Sequence, residues 1–362
     1  MNMKRYGLWL AALWTVFTAA AQSTLEAQTS ITTEHKRIEI LVNGARVRLY
    51  SATQYDSLIV VPDYGLKVYV KDRPSQDFLD ATYREVTEEE NISSDENNKN
   101  KNVDFTDSRR YAWRLEYPKT RNDENNIISV HELPAPEGVT LSIEWDCEKR
   151  AQRWTCYQFH DGFKDNKVDR ARKWNDDPNI PEQYRTHSKD YDGMGHIYHR
   201  GHMCNSLDRR NSEAQNEQTF FISNAHPQFA AHNTGIWKSL EARVNKWGMD
   251  SNFRDTLYVV KAGTIDEDRV LAPMKSPKPG RQEVLVPKFM YMAILCKKGN
   301  DYKAIGFWTD HEENPPRGES LQSFAKSIRE LERLTGIDFF CNLPDDIENQ
   351  VEEHYDLKDW EW

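Results

Sequence analysis

From Ile38 to Val70 apolar residues recur with a period of two. Ile38, Ile40 and Val42 mark one face, Asn43-Gly44 follows as a hairpin signal, and Val47-Arg48-Leu49-Tyr50 resumes the alternation. Leu58–Val61 and Leu66–Val70 add two short β runs around a Pro62-Asp63-Tyr64-Gly65 turn. Residues 22–84 therefore read as a small β-rich module. Beyond about Asn125 the pattern becomes mixed. Val139–Trp145 and Arg153–Phe159 predict an antiparallel pair, and Leu257–Val260, Lys288–Cys296 and Tyr302–Phe307 predict further strands. Ile236, Leu240 and Val244 recur every four residues and predict a helix over Asn233–Trp247. Leu321, Phe324, Ile328 and Leu331 predict another over Ser320–Thr335. An α+β class follows: a central antiparallel sheet with flanking helices over 125–353, preceded by the β-rich module. No internal repeat is present.

The N-terminus reads as a secretory signal over residues 1–21. Lys4 and Arg5 precede the apolar run Tyr6–Phe17, and Ala19-Ala20-Ala21 precedes Gln22. That run is shorter than the ~20 residues of a spanning helix, so the expectation is cleavage and export, to the periplasm or the medium, with no stable membrane insertion. An exported chain can form disulfides. Its five cysteines are Cys147, Cys156, Cys204, Cys296 and Cys341, and a Cys147–Cys156 bridge across the predicted hairpin is conceivable. No CxxC pair supports a structural zinc site of that type.

Composition refines the picture where it is uneven. The 362 residues carry a net charge of −10, with 38% hydrophobic and 29% charged residues, as in ordinary soluble chains. A mean hydropathy of −0.84 excludes a polytopic membrane protein. A negative total argues against a nucleic-acid binder, but the charge is local. Residues 85–124 open with a Glu-rich, Asn-rich tract read as a linker, and 354–362 read as an acidic tail. Between Lys149 and Lys173 the cations Lys149, Arg150, Arg153, Lys164, Lys167, Arg170, Arg172 and Lys173 face only Asp161, Asp165 and Asp169. A local basic face is what phosphate binding needs.

The chemistry is concentrated in three stretches: Tyr198-His-Arg-Gly-His-Met203, Thr219-Phe-Phe-Ile-Ser-Asn-Ala-His-Pro-Gln228 and Asn233-Thr-Gly-Ile-Trp-Lys-Ser-Leu-Glu241. His202 follows Gly201, where backbone can pack closely, and an imidazole is the usual general base. Asn233 opens the predicted helix, where its side-chain oxygen can cap the helix or bind a hard cation. Glu241 lies two turns on, with Trp237 between, in a rough stripe along one side. A neutral oxygen ligand with a nearby carboxylate suits Mg²⁺.

These stretches resemble the DNA/RNA non-specific endonucleases, the sugar-non-specific family with a ββα-metal active site. The resemblance extends to Arg172-Lys-Trp-Asn-Asp-Asp-Pro178, Thr335-Gly-Ile-Asp-Phe-Phe340 and Leu343-Pro-Asp, covering about Asn125 to Glu353. It implies His202 as the general base, Asn233 as the direct protein ligand of Mg²⁺ (with Mn²⁺ as a substitute), and Glu241 as the carboxylate holding metal-bound water. It implies Arg172 as the arginine stabilising the phosphorane, and His199, Arg200 and Gly201 as supporting residues. The implied activity is hydrolysis of DNA and RNA to 5′-phosphates. Two departures stand out: His199 occupies the place of the family's leading Asp, and Asn245 the place of a basic residue one turn past the glutamate.

Weaker readings accompany these. His196, His199 and His202 have a zinc-like spacing, but on a strand His199 points away from the other two. Asn233 alone is ordinarily a helix cap, and Asp208 and Arg209 read as anchors of the loop after His202. The alternative function is a catalytically weakened nuclease fold that binds nucleic acid or a surface partner, which His199 would favour. Oligomeric state is not legible.

Overall fold

The computed structural model describes residues 29–31, 37–42, 45–50, 55–61, 65–71, 76–79, 81–86, 98–103, 109–134, 137–163, 167–315 and 318–362. The predicted signal peptide lies outside them, as do Lys164 and most of the Glu-rich tract. Contacts divide the chain into two compact units, Met1–Glu96 and Asn97–Trp362.

The first unit is all β among its described residues. Strands β1 (Thr29–Ile31), β4 (Tyr55–Val61), β5 (Gly65–Val70) and β6 (Gln76–Leu79) form one sheet in the order β1-β4-β5-β6. Strands β2 (Arg37–Val42), β3 (Ala45–Tyr50) and β7 (Ala81–Val86) form another, in the order β3-β2-β7. Val42 pairs with Ala45 across the predicted Asn-Gly turn. Ile38, Ile40, Leu66 and Val68 are buried at alternate positions, as the period of two requires. Tyr55 and Leu58 break that parity yet share the core, because a register shift between Tyr55 and Ser57 adds the odd residue.

The second unit is built on a seven-stranded antiparallel sheet. Its strands are β8 (Asn126–Leu133), β9 (Gly138–Asp146), β10 (Ala151–Phe159), β13 (Thr256–Gly263), β16 (Phe289–Lys298), β17 (Asp301–Asp310) and the short β18 (Ala325–Lys326). Their order is β18-β17-β16-β13-β10-β9-β8. Both faces are covered, so central strands read as continuous apolar runs rather than alternations. In β16, Met290, Met292 and Ile294 join the core under the Lys238–Met249 helix, where Leu240, Val244 and Trp247 pack. Tyr291, Ala293 and Leu295 point the other way, to Ile328, Leu331 and Val351 of the Ile328–Thr335 and Asp345–Glu353 helices. Two small ribbons, β11 (Tyr198–His202) with β12 (Ala225–Phe229) and β14 (Val270–Met274) with β15 (Val284–Pro287), lie outside this sheet. No helix among the described residues is long and apolar enough to cross a membrane.

Several expectations change. The helix expected over Ser320–Thr335 begins only at Ile328; Leu321–Phe324 is a single 3₁₀ turn and Ala325–Lys326 adds an edge strand. Ser327 stops the helix extending backwards by capping it, its hydroxyl accepting from Glu330 N. Residues 98–103 and 109–124 are part of the second unit rather than a linker. Asn102 is 3% exposed and donates to the carbonyls of Ala112 (2.9 Å) and Pro118 (3.1 Å), while Asn98 donates to Leu343 O. The acidic C-terminal stretch is docked too: Trp360 is buried against Trp247, with ring centroids 4.7 Å apart. All five cysteines are buried free thiols. Cys147 and Cys156 cannot meet, because Cys147 lies in the core on one face of the sheet and Cys156 in the core on the other.

Candidate active site

Strand β11 pairs with β12 so that His199 faces Gln228, Gly201 faces His226 and His202 faces Ala225. The ribbon is tight at Gly201, where a Cβ would lie 2.3 Å from Gln228 Cδ. Only glycine permits that approach. Asn224 then fixes the exit of the strand, accepting from Cys204 N and donating to the carbonyls of Cys204 and Thr219. The imidazole of His202 is held by this backbone.

His202 is buried between Trp174 and Phe220, with ring centroids 4.5 Å and 4.8 Å away. Its Nε2 has no hydrogen-bond partner. Burial first, then the charges of Arg170 and Lys261, push its pKa down to about 3. It is therefore neutral at physiological pH, with one ring nitrogen uncommitted. That is the state a proton acceptor needs.

The helix expected from Asn233 is interrupted. A short turn, Ala230–His232, leads into a wide π turn over Asn233–Trp237, kinked at Gly235 (φ −98°, ψ −108°), before the regular Lys238–Met249 helix. A regular helix would leave residues eight apart about 80° out of line at about 100° per residue. A turn that absorbs one extra residue reduces that offset, and such turns are common at functional sites. Trp237 is fully buried beneath, and its Nε1 donates to His202 O at 3.3 Å, tying the helix to β11.

Asn233 Nδ2 lies 3.1 Å from His199 Nδ1. With the amide N–H donating to the ring nitrogen, Oδ1 remains for a ligand. His199 thus offers an acceptor to Asn233 from the position where the resemblance expected an aspartate.

Glu241 is 8% exposed and its Oε1 has no hydrogen bond. Burial raises its carboxyl to about 8 against the opposing pull of Lys261; Asp208 adds to the rise, and Asn205 and Arg170 resist it. Asp208 is itself held by Tyr157 OH (2.7 Å) and Asn245 Nδ2 (2.8 Å). Asn245 is thereby committed to structure. Its neighbour Arg243 turns to Glu361 O, so neither supplies a cation here. Arg209 is the anchor expected of it: fully buried, it donates to the carbonyls of Thr140, Asp208 and Gln158.

The arginine-rich segment is pinned along this site. Ala171 N donates to Asn216 Oδ1, Asn175 bridges Phe221, and Asp177 accepts from Ser129 and Ser223 and contacts His131 Nε2 at 3.0 Å. Asp169, Arg170, Arg172, Trp174, Arg210 and Phe220 line an open cleft. Within it Arg170, not Arg172, exerts its charge on both His202 and Glu241, and its guanidinium lies 5.2 Å from the Phe220 ring centre. The basic face is also narrower than the sequence suggested. Arg153 is buried in an ion pair with Glu144 (3.0 Å), and Lys149 is paired with Asp266 (3.6 Å). Arg200 has its own task, donating to Ser188 O and lying over the Tyr191 ring.

Trp237 thus ties the segment opened by Asn233 to His202, Asn233 meets His199, and His202 and Glu241 share the charges of Arg170 and Lys261. Sequence reasoning had Arg170 only as one cation of the basic face, and missed Asn205 and Lys261, whose apolar-strand setting gave no signal. The zinc spacing does not mature into a site: His196 is exposed outside the strand, and His202 is boxed by aromatic rings. The described carboxylates whose ligand atoms converge within 4.8 Å are Glu332, Asp338 and Glu352, and Arg329 pairs with two of them. At the His202 site the available donors, Asn233 Oδ1 and the uncommitted Glu241 Oε1, are hard oxygens. They fit Mg²⁺ or Mn²⁺ better than a soft, thiol-seeking ion.

Nuclease EXOG, mitochondrial, of Danio rerio is 29% identical over 208 residues, covering 56% of this chain and 59% of that protein. Its Homo sapiens counterpart is 28% identical over 208 residues, 56% of this chain and 55% of its own. This chain thus spans little more than half the length of those relatives. A nuclease of Nostoc sp. is 26% identical over 255 residues, 63% of this chain and 87% of that one. The DNA/RNA non-specific endonuclease family matches residues 137–346, more than half of the chain and the whole of the site just described. The chain belongs to the DNA/RNA non-specific endonuclease family.

Proposed function

We propose that this chain is an exported, Mg²⁺-dependent endonuclease that hydrolyses phosphodiester bonds of DNA and RNA with little base preference and leaves 5′-phosphates. The observation that carries the reading is the buried, neutral imidazole of His202, with a nitrogen uncommitted and its backbone carbonyl bonded to Trp237 of the segment that opens at Asn233. His202 takes the proton of a water attacking phosphorus. The P–O3′ bond breaks opposite it, and the leaving oxygen is protonated from solvent. Asn233 Oδ1 and Glu241 would hold the divalent cation, directly and through its hydration shell. When bound, the ion supplies charge neutralisation at the phosphate. Arg170 and Arg172 line the cleft through which the backbone would pass, and contacts confined to phosphate and sugar give low base specificity.

The test is digestion of supercoiled plasmid and total RNA with Mg²⁺, with EDTA, and by His202→Ala. Metal-dependent cutting of both polymers, reduced ~10²–10⁴-fold in the variant, supports the reading. Cutting of neither by folded wild-type protein moves the binding-module alternative to first place. The His199–Asn233 hydrogen bond favours the enzyme, since the replacement supplies an acceptor rather than removing one. Export rests on the pattern of residues 1–21. N-terminal sequencing of protein from fractionated cells checks it: a mature end near Gln22 outside the cytoplasm is expected.

A further inference from the structure

The slot that holds the His202 imidazole has two walls, Trp174 and Phe220, whose own ring centroids lie 5.1 Å apart. Neither wall belongs to β11. Trp174 is carried by the cleft segment and Phe220 by the stretch before β12. The two backbones are laced together, Asn175 N donating to Phe220 O (3.0 Å) and Ile222 N to Asn175 O (2.9 Å). Past the lacing both arms close on one carboxylate. Asp177 is 1% exposed, and its Oδ2 accepts from Ser223 of the second arm (2.5 Å). The same oxygen accepts from Ser129 of the edge strand β8 (3.2 Å) and lies 3.0 Å from His131 Nε2. The His131 ring in turn stacks on Phe221, with centroids 4.6 Å apart.

Ser129 and His131 lie two residues apart on one face of β8, and both are buried. Aliphatic side chains would serve packing there, whereas buried polar groups are costly unless each finds a partner. Asp177 is that partner. Both residues also precede the span 137–346 that the family matches, so this grip comes from outside that span.

We infer that His131, with Ser129 beside it, is a positioning residue of the nuclease site. Through Asp177 it holds the Trp174 arm and through Phe221 the Phe220 arm, and so it fixes the slot that shields and orients the His202 imidazole. The inference rests on the reading of His202 as general base. A base must meet its water in one geometry, and a ring free to turn leaves that geometry. Arg170 and Arg172 are held from the other end of their segment, by Ala171 N on Asn216 and Lys167 N on Arg210 O. Loosening the slot therefore lowers kcat and spares polymer binding.

The test uses the full chain. His131→Phe keeps a ring against Phe221 but removes the donor to Asp177, and is expected to lower kcat for plasmid cleavage at least tenfold with KM within twofold. His131→Gln restores an N–H donor and is expected to recover at least a third of the wild-type kcat. Labelling of histidines by diethylpyrocarbonate, mapped on peptides by mass spectrometry, reads the slot directly. In His131→Phe, His202 is expected to label at least fivefold faster, while His311, also buried and held by Phe229 and Pro287, keeps its wild-type rate. A folded Phe variant with wild-type kcat or wild-type labelling of His202 overturns the inference. So does a loss in the Gln variant as deep as in the Phe variant, or faster labelling of His311 as well, which is general loosening rather than positioning. Should His131→Phe not fold, Ser129→Ala removes the neighbouring donor and is expected to move kcat and His202 labelling at least threefold in the same directions; wild-type values overturn the idea. Wild-type protein that cuts neither polymer would sink the nuclease reading, while the labelling still decides whether His131 closes the slot.

Discussion

At the residue scale the informative contact is His199 with Asn233. If His199 works as an acceptor that orients the amide, His199→Asp preserves function and His199→Ala does not. The Ala variant is expected to need several-fold more Mg²⁺ for half-maximal cleavage, with kcat largely restored at saturation; an equal loss in both variants would refute the orienting role. Arg170 and Arg172 supply a second comparison. Arg170→Ala is expected to lower kcat/KM at least tenfold, and Arg172→Ala less, because only Arg170 brings its charge to His202 and Glu241. Single-turnover cleavage of a short duplex distinguishes them. The motif spacing picks Arg172 because it matches residue types in order, and the two variants test that assignment. How each arginine is presented to the site depends on how Asn216 and Asp177 pin the segment, and those are contacts across the fold.

At the element scale, strands with local patterns were legible and elements defined by long-range packing were not. The β9–β10 pair and the runs that became β13, β16 and β17 were visible, as was the helix carrying Glu241. The interruption at Asn233–Trp237 was not, since apolar spacing from Ile236 to Val244 looks the same with or without an added residue. The stretches at 98–124 and 354–362 misled for a related reason. Composition registers polarity but not whether each polar group finds a partner. Asn102 serves as a staple, and the charged tail carries Tyr355, Leu357, Trp360 and Trp362 into the core beside Trp247. Aromatic residues at that spacing were the available signal. Trp360→Ala is expected to cost about 3–5 kcal/mol, the range for a buried Trp replaced by Ala. Urea unfolding of residues 97–362 measures it; a loss under about 1 kcal/mol would mean the tail is not docked in solution.

For the whole molecule, buried ionisable groups set opposing slopes of stability with pH. His202, His226 and His232 are held down to about 3, and His160 and His311 to about 4, all chiefly by burial. The unfolded chain binds these protons more tightly, so their contribution is present above about 6.5 and lost as pH falls toward those values. Glu348, Glu241 and Glu352 are raised to about 7, 8 and 9, burial being the first cause in each. Here the folded state holds the proton more tightly, and the contribution is full below about 4.3 and lost as pH rises through 7 to 9. The melting temperature is expected to peak between about pH 6 and 7 and to fall on both sides. A flat profile from pH 5 to 9 by scanning calorimetry would contradict this account. The β-rich character of the first unit was legible, but the pattern marked only the runs of β2 to β5 and missed β1, β6 and β7.

The five sequestered thiols have a practical corollary. If the chain is exported as proposed, its odd number of cysteines is exposed to scrambling only while it is still unfolded. Once closed it offers no sulfur to glutathione, to a second copy or to a colour reagent. The same seclusion makes the cysteines a built-in reporter. Ellman's reagent should find essentially none in the native protein and all five in denaturant, so the rate at which colour develops under native conditions times the opening of the sheet's two cores.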